Sequence, residues 1–183
     1  VGDQKRAIMR QFGVAYQGGA LFRSLSLAEN IALPMEEHTK MSKAEIREKV
    51  REKLKLVNLD GYQDYMPSDL SGGMVKRAAF ARSLALDPDI LFFDEPSAGL
   101  DPLSSASLDK LILDIREKTG ATIIVVTHEL ESIFSIADRA VMLDAKTKGV
   151  IADGPPLELR THSANPFVRL FLNRGHDPAA HQQ

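Results

Sequence analysis

The chain has 183 residues, 44% hydrophobic and 26% charged, which is typical of one globular domain with or without a small subdomain. Lysine and arginine number 23 against 25 aspartates and glutamates, so no overall basic charge favours nucleic acid as a partner. The absence of cysteine excludes disulfides, thiolate catalysis and cysteine-bound metal, and no apolar run approaches the roughly 18 residues that span a bilayer.

The first part of the chain contains one predicted strand and two helical segments. FGVAY (12–16) has the β-branched and aromatic pattern of a buried strand, which two glycines end. Pro34 is expected to close a short apolar helix or turn, because proline disfavours helical conformation in the residue before it. The clearest helix is 42–57, which starts with a capping box of Ser42 and Glu45. We expect its charges to be solvated, with the pairs Glu45–Lys49 and Glu48–Arg51 across its turns.

The second part alternates between helices and strands. A helix is predicted from Ser71 to about Leu86, a strand buried on both faces at 89–95, a helix from Pro102 to Gly120 and a buried strand at 121–128. The predicted elements that follow are a helix at 129–137, a strand pair at 139–143 and 149–154, short helices at 155–162 and 164–173, and a disordered tail at 175–183.

This alternation predicts an α/β fold built on a mostly parallel sheet. No strand pattern occurs between Gln17 and Ser71. We therefore predict a core formed by residues 1–33 and 71–174, into which residues 34–70 are inserted as a helical subdomain.

The acidic pair Asp94–Glu95 ends the most apolar of the predicted strands. Ligands of open α/β sheets bind at the carboxyl edge of the strands. An aspartate at that edge can hold Mg²⁺, usually through water, and the adjacent glutamate can orient or deprotonate an attacking water. The alternative is that the pair only ends the strand and caps a helix. The run of four apolar residues before the pair and Pro96 after it weaken that alternative.

Three further features gain meaning only from their positions. LSGGM (70–74) starts a helix with a serine and two glycines, which can bind an anion, although Ser-Gly-Gly alone is more often an ordinary cap. His128 follows a predicted strand and could contact a phosphate, although a lone histidine is more often structural. Gln17 follows the first strand and could contact a metal or a phosphate, although a loop glutamine is commonplace.

In order and spacing, five segments resemble the nucleotide-binding domain of ATP-binding cassette proteins. They match its Q-loop, signature, Walker B, D-loop and switch-histidine motifs, and are Gln17, LSGGM (70–74), ILFFDE (90–95), SAGLD (97–101) and VTHE (126–129). The resemblance implies a P-loop NTPase (RecA-like) core, with ATP and Mg²⁺ as ligands. It also implies a second copy of the domain as partner, since in that family two domains enclose two ATP molecules head to tail.

The resemblance further implies a role for each matched residue. Asp94 would be the magnesium aspartate, Glu95 the general base and His128 a phosphate contact, while Gln17 would contact the metal and couple the site to the transporter. The residues that would act between subunits are Ser71, Gly72 and Gly73, as phosphate contacts in the partner's site, and Asp101, as an inter-subunit contact.

Two departures from the family pattern affect these expectations. The phosphate loop, G-x-x-x-x-G-K-[ST], occurs nowhere in the 183 residues, and the first residue is Val1 rather than methionine. In the family this loop precedes the Gln17 strand, so we expect an N-terminally truncated domain that binds ATP poorly and does not hydrolyse it. Met74 stands where the family usually has glutamine, which removes one polar contact near the nucleotide.

Residues 17–39, together with LSGGM, resemble the ATPases of Mla-type phospholipid transporters, also called toluene-tolerance systems. That resemblance implies an inner-membrane permease and a lipid-binding periplasmic protein as partners, and a peripheral location on the cytoplasmic face of the bacterial inner membrane. Two alternatives are a soluble cassette ATPase of translation or chromosome maintenance, and a non-catalytic partner-binding fragment. The short segment between Gln17 and Ser71 lacks the heptads of the chromosome class, and neither a second cassette nor a basic linker indicates the translation class.

Overall fold

A computed structural model describes residues 8–176, which divide into two units, one ending at Thr127 and one beginning at His128. Residues 1–7 and most of the predicted disordered tail at 175–183 lie outside the described residues. The assignment of residues 34–70 to an inserted subdomain stays a prediction.

The first unit is built on three parallel strands connected through helices. In chain order its elements are β1 (Phe12–Ala15), α1 (Leu27–His38), α2 (Lys43–Leu56), a 3₁₀ turn (Pro67–Asp69), α3 (Gly72–Ser83), β2 (Ile90–Asp94), α4 (Pro102–Thr119) and β3 (Thr122–Val126). The strands lie in the order β1-β2-β3, with Ala15 beside Phe93 and Asp94 beside Val126. The α/β fold with a parallel sheet is therefore confirmed.

One face of this sheet is buried and the other is open. On the buried face, the ring of Phe93 stacks on Phe80 of α3 with 4.0 Å between centroids. The open face, as described in residues 8–176, exposes Val14 by 42%, Ile124 by 42% and Val126 by 57%. The strands predicted as buried at 12–16 and 121–128 are therefore exposed on this face. Of the 89–95 strand, predicted as buried on both faces, Leu91 and Phe93 are buried while Ile90 and Phe92 are only half-buried. A hydrophobic run predicts a strand but does not show which of its faces has a covering element.

Helix α1 contradicts the expectation that Pro34 closes a short helix or turn. The helix runs on to His38, and Pro34 lies inside it. It begins with a capping box in which the Ser26 hydroxyl accepts from Glu29 N and the Glu29 carboxylate accepts from Ser26 N. Leu27, Ile31 and Met35 are fully buried on one face. Packing of this face holds the helix together across the hydrogen bond that proline cannot donate.

Helix α2 confirms the predicted start and corrects the predicted charged face. Ser42 and Glu45 form the capping box, and the apolar face is buried. Lys53, however, is only 2% exposed and bonds Asp87 in the turn after α3. Lys49 bonds the same carboxylate at 2.5 Å instead of pairing with Glu45. The charges of this helix therefore help to attach it to the turn, and they are not all solvated.

Helices α3 and α4 begin where the sequence indicates. Ser71 is the N-cap of α3, although this helix ends at Ser83, a little before the predicted Leu86. Asp101 is the N-cap of α4, and Gly120 ends that helix with φ of 69°, in the left-handed region that glycine adopts without strain.

The second unit confirms the predicted order of its elements. They are α5 (Leu130–Ile136), the antiparallel pair β4 (Ala140–Asp144) and β5 (Gly149–Gly154), and the helices α6 (Pro156–His162) and α7 (Pro166–Leu172). Arg139 and Asp153 form a bidentate ion pair across the hairpin, with both distances at 2.6 Å. Within residues 8–176, none of the helices combines the length and the apolar character required to cross a membrane.

Candidate active site

The predicted acidic pair lies at the carboxyl edge of the parallel sheet. Asp94 is the last residue of β2 and Glu95 follows it, while Gln17 lies two residues beyond the end of β1. The register places Ala15 beside Phe93, so Gln17 and Glu95 leave the sheet from neighbouring strands at the same edge. This is the edge at which open α/β sheets bind their ligands.

Glu95 has a strained backbone that is held on both sides. Its φ is 44°, in the left-handed region, where a residue other than glycine is destabilised by about 1–3 kcal/mol. The Glu95 N–H donates to the carbonyl of Val126 at 2.8 Å, and its own carbonyl accepts from Ala98 N at 3.2 Å. Strain of this kind persists where surrounding bonds impose it and is found most often at functional sites.

The side chain of Glu95 is also bonded. The hydroxyl of Thr127, which directly follows β3, donates to Glu95 Oε2 at 3.3 Å. Thr127 was part of the motif at 126–129, but no role was predicted for it. Its position one residue past the strand, at the same edge as Glu95, was the available signal.

Lys76 was not singled out in the sequence, yet it connects the parts of this edge. It lies on α3 and is 8% exposed, and its ammonium donates to the carbonyls of Gln17 and Glu95, the second at 3.1 Å. Burial lowers its pKa below the usual range, although the nearby Asp94 and Glu95 carboxylates oppose that shift. The spacing of Lys76, Phe80 and Ser83 along the buried face of α3 was the signal in the sequence.

The start of α3 keeps open space around its glycines. The hydroxyl of Ser71 accepts from Met74 N at 3.3 Å, as an ordinary N-cap does. A Cβ on Gly73 would meet nothing within 4 Å, and one on Gly72 would meet Leu100 at 3.7 Å. Packing within the described part of the chain therefore does not require glycine at either position. The predicted phosphate contacts of Ser71, Gly72 and Gly73 are not tested by this geometry.

Asp101 and His128 have positions that leave their predicted roles open. The Asp101 carboxylate caps α4, accepting from Leu103 N, Ser104 N and the Ser104 hydroxyl. The bond from the Ser104 hydroxyl, followed by the main-chain bonds, lowers its pKa. His128 is exposed and is the first residue of the second unit. The inter-subunit contact of Asp101 and the phosphate contact of His128 both stay predictions.

The donor set at the sheet edge suits Mg²⁺ better than a metal that needs several protein ligands. Across residues 8–176 there is no cluster of three or more histidine, aspartate or glutamate side chains that could hold a metal ion. Mg²⁺ typically takes one or two carboxylates and completes its shell with water and substrate phosphates. A carboxylate from Asp94 and the side-chain amide oxygen of Gln17, at the end of the neighbouring strand, fit that pattern.

A separate groove of about 460 Å³ lies along β1, between that strand and helices α1 and α3. Its lining includes Phe12, Val14, Tyr16, Pro34, His38 and Arg82, and it contains no carboxylate. The groove therefore lacks the ligands that a magnesium-bound nucleotide requires.

Comparison with protein families and solved structures identifies a family for the chain. A family model described as ABC transporter matches residues 2–98. A dimeric structure of a post-hydrolysis state of the ATP-binding cassette MJ0796, bound to ADP and Pi, superposes with a TM-score of 0.72 at 30% identity. That match covers 85% of this chain and 67% of the other.

Two curated relatives carry different names. The probable ribonucleotide transport ATP-binding protein mkl of Mycobacterium leprae (strain TN) is 48% identical over 162 residues, covering 88% of this chain and 46% of that protein. The intermembrane phospholipid transport system ATP-binding protein MlaF of Escherichia coli (strain K12) is 39% identical over 166 residues, covering 91% and 61%. The chain thus spans between about half and three fifths of the length of these relatives.

Proposed function

Because the chain belongs to the ABC transporter family, we propose that it is part of an ATP-hydrolysing subunit that drives a membrane transporter. The observation that carries this proposal is the placement of Asp94 and Glu95 at the carboxyl edge of β2, with Glu95 in a strained conformation held on both sides. The glycine-rich start of α3, which matches the family's signature motif, supports the same proposal.

In this proposal each residue at the edge has a distinct task. Asp94 and Gln17 would hold Mg²⁺, which would neutralise charge on the phosphate oxygens. Glu95 takes the proton of the attacking water, and Thr127 restrains its carboxylate through the 3.3 Å bond. His128 contacts the terminal phosphate. Every one of these tasks needs a nucleotide whose phosphates are bound by a lysine-bearing loop.

The second partner in the proposal is another copy of the same domain. Ser71, Gly72 and Gly73 would contact the nucleotide bound by that copy, and Asp101 would lie at the contact between the two. The exposed start of α3 and the absence of packing that requires its glycines support this assignment. The dimeric cassette structure found by comparison supports the same arrangement.

The test uses an intact cassette, meaning a protein in which residues 1–183 follow a lysine-bearing phosphate loop. Glu95→Gln should keep ATP affinity and stabilise an ATP-bound dimer while turnover falls by a factor of roughly 100 or more. Glu117→Gln, on the exposed surface of α4, is the matched control and should hydrolyse ATP normally. Normal turnover in the Glu95 variant would remove this residue from the role of general base.

A second variant tests His128 separately. His128→Ala should reduce kcat by more than it reduces ATP affinity, because the contact with the terminal phosphate matters most in the transition state. Steady-state kinetics and calorimetry on the intact cassette distinguish these effects. A loss confined to affinity would contradict the assignment.

For the cargo we propose phospholipid, supported by residues 17–39, by the LSGGM segment and by the MlaF relatives of Escherichia coli and Haemophilus influenzae. The partners would then be an inner-membrane permease and a lipid-binding periplasmic protein, with the cassette peripheral on the cytoplasmic face of the membrane. The name of the mkl relatives favours ribonucleotides as the second candidate.

The two cargos are separated by purifying the intact cassette with its permease. Phospholipid should be found in the complex by mass spectrometry and should stimulate ATP hydrolysis in vesicles. Stimulation by ribonucleotides, with no effect of phospholipid, would overturn the proposed cargo and favour the other candidate.

A further inference from the structure

Lys76 is a buried cation on a helix that otherwise packs through small and apolar side chains. It is 8% exposed, and its neighbours on the buried part of α3 include Ala79, Phe80 and Ser83. A lysine is rarely buried to this degree unless its ammonium is fully engaged. The position of this ammonium therefore needs a reason beyond packing.

The ammonium bridges the ends of two neighbouring strands. It donates to the main-chain carbonyl of Gln17, after β1, and to that of Glu95, after β2 at 3.1 Å. These two residues were predicted to contact the metal and to act as the general base. A single side chain from α3 thus sets the spacing between the main chains of both.

The bond to Glu95 acts on a residue whose backbone is strained. With φ of 44°, the Glu95 backbone would relax toward an ordinary conformation if its hydrogen bonds were lost. Relaxation would redirect the Cα–Cβ bond and so move the carboxylate. Its main-chain N–H donates to Val126, and its carbonyl accepts from Ala98 N and from Lys76, so Lys76 supplies the side-chain bond among the three that hold this residue.

From this geometry we infer that Lys76 is a positioning residue for ATP hydrolysis. It fixes the main chains of Gln17 and Glu95 relative to each other. It orients the Glu95 carboxylate only while α3 is packed against the carboxyl edge of the sheet. The inference rests on the proposed function. Lys76 acts through the main chain of Glu95. It lies about 6 Å along the helix axis from the first residue of α3, four residues earlier.

The chain offers a matched control in Arg82, also on α3. Its guanidinium donates to the carbonyl of Ala20 at 2.5 Å and lies 4.9 Å from the centre of the Phe22 ring. Arg82 therefore connects the loop after β1 to the same helix, as Lys76 does, but it makes no bond to Glu95. If Lys76 matters only as a link between helix and loop, the two residues should behave alike.

The experiment compares Lys76→Met, Lys76→Arg and Arg82→Met in the intact cassette. We expect Lys76→Met to lower kcat by about 10-fold or more, since small displacements of a catalytic group have effects of this size, with ATP affinity changed less than threefold. Lys76→Arg keeps a donor and should recover at least part of the loss. Arg82→Met should change kcat less than threefold.

A double variant tests whether Lys76 acts through Glu95. In the Glu95→Gln background, Lys76→Met should cause no further loss of turnover, because the group that it positions is already gone. An additive loss, a loss found only in ATP affinity, or an equal loss in Arg82→Met would each overturn the inference. If Lys76→Met does not fold, Lys76→Arg decides: a kcat within about threefold of normal supports the role of a hydrogen-bond donor, and a loss as large as that of Glu95→Gln contradicts it.

The failure of this inference is distinguishable from the failure of the proposed function. If Glu95→Gln keeps full turnover, the proposed function is wrong. If Glu95→Gln abolishes turnover and Lys76→Met does not reduce it, the function stands and the positioning role of Lys76 is wrong.

Discussion

The Asp87 carboxylate is the shared ion-pair partner of two lysines, one buried and one half-buried. It lies in the turn between α3 and β2 with φ of 49°, and its carboxylate accepts from both Lys49 and Lys53. Lys53 is almost completely buried, with Glu52 as its other carboxylate at 3.1 Å. Loss of the Asp87 charge would leave a buried ammonium with one exposed partner, which is destabilising.

We predict that Asp87→Asn destabilises the intact cassette by about 1–2 kcal/mol near neutral pH, a value reduced because Asp87 is itself half exposed. Asparagine tolerates the left-handed backbone at this position, so the change removes charge with little strain. Burial raises the pKa of the Asp87 carboxyl, but the hydrogen bonds from Lys49 and Lys53 outweigh it, and the pKa is lowered.

The sign of that shift sets the pH dependence. A carboxyl with a lowered pKa in the folded state adds stability above its unfolded pKa and loses it as the pH falls through the folded value. The difference in unfolding free energy between the protein and Asp87→Asn should thus be full at pH 6–7 and smaller at about pH 3, which lies below the unfolded pKa. Denaturant unfolding at both pH values measures it, with Asp89→Asn, an exposed aspartate nearby, as control. A difference that is constant with pH would rule out a charge effect.

At the scale of elements, the local signals for helix ends were sufficient and the signals for helix continuation were not. Ser42 with Glu45, and Pro102 with Gly120, mark the ends of their helices correctly because such signals depend on a few adjacent residues. Pro34 misled because an interior proline destabilises a helix by about 3 kcal/mol. The burial of three apolar side chains of α1, each contributing about 1.5–3 kcal/mol, outweighs it. That packing is not local in sequence.

The contact between β1 and α3 gives a prediction at this same scale. A Cβ on Gly13 would lie 2.2 Å from the Ser83 carbonyl oxygen and 2.7 Å from Leu91 Cδ2. Gly13→Ala must therefore move the strand from the helix, and we expect a loss of roughly 3 kcal/mol in unfolding free energy, at the upper end for overpacking. Gly18→Ala, where a Cβ would meet nothing within 4 Å, is the control and should be nearly neutral. Equal stability of the two variants would show that β1 does not approach α3 as closely as described.

For the whole molecule, the sequence predicted the location of the candidate site better than the contacts that hold its residues in place. Asp94, Glu95 and Gln17 were predictable because parallel strands bring their carboxyl ends to one edge. Lys76 and Thr127 were not, because their roles depend on contacts with Gln17 and Glu95 that a sequence pattern does not contain. Which face of the sheet is covered was equally unpredictable, since exposure depends on elements elsewhere in the chain.

The last prediction concerns nucleotide binding by residues 1–183 alone. The edge of the sheet supplies carboxylates and an amide, which suit Mg²⁺, but none of the 183 residues belongs to a lysine-bearing phosphate loop. The amides and lysine of such a loop bind the β- and γ-phosphates, so their absence should weaken magnesium–ATP binding by roughly 100-fold or more relative to the intact cassette and abolish hydrolysis. Calorimetry on both proteins measures this difference. Tight, magnesium-dependent binding by residues 1–183 would mean that the edge around Asp94 and the start of α3 hold the phosphates without the loop, and the division of α3 and β2 between two nucleotide sites would then be wrong.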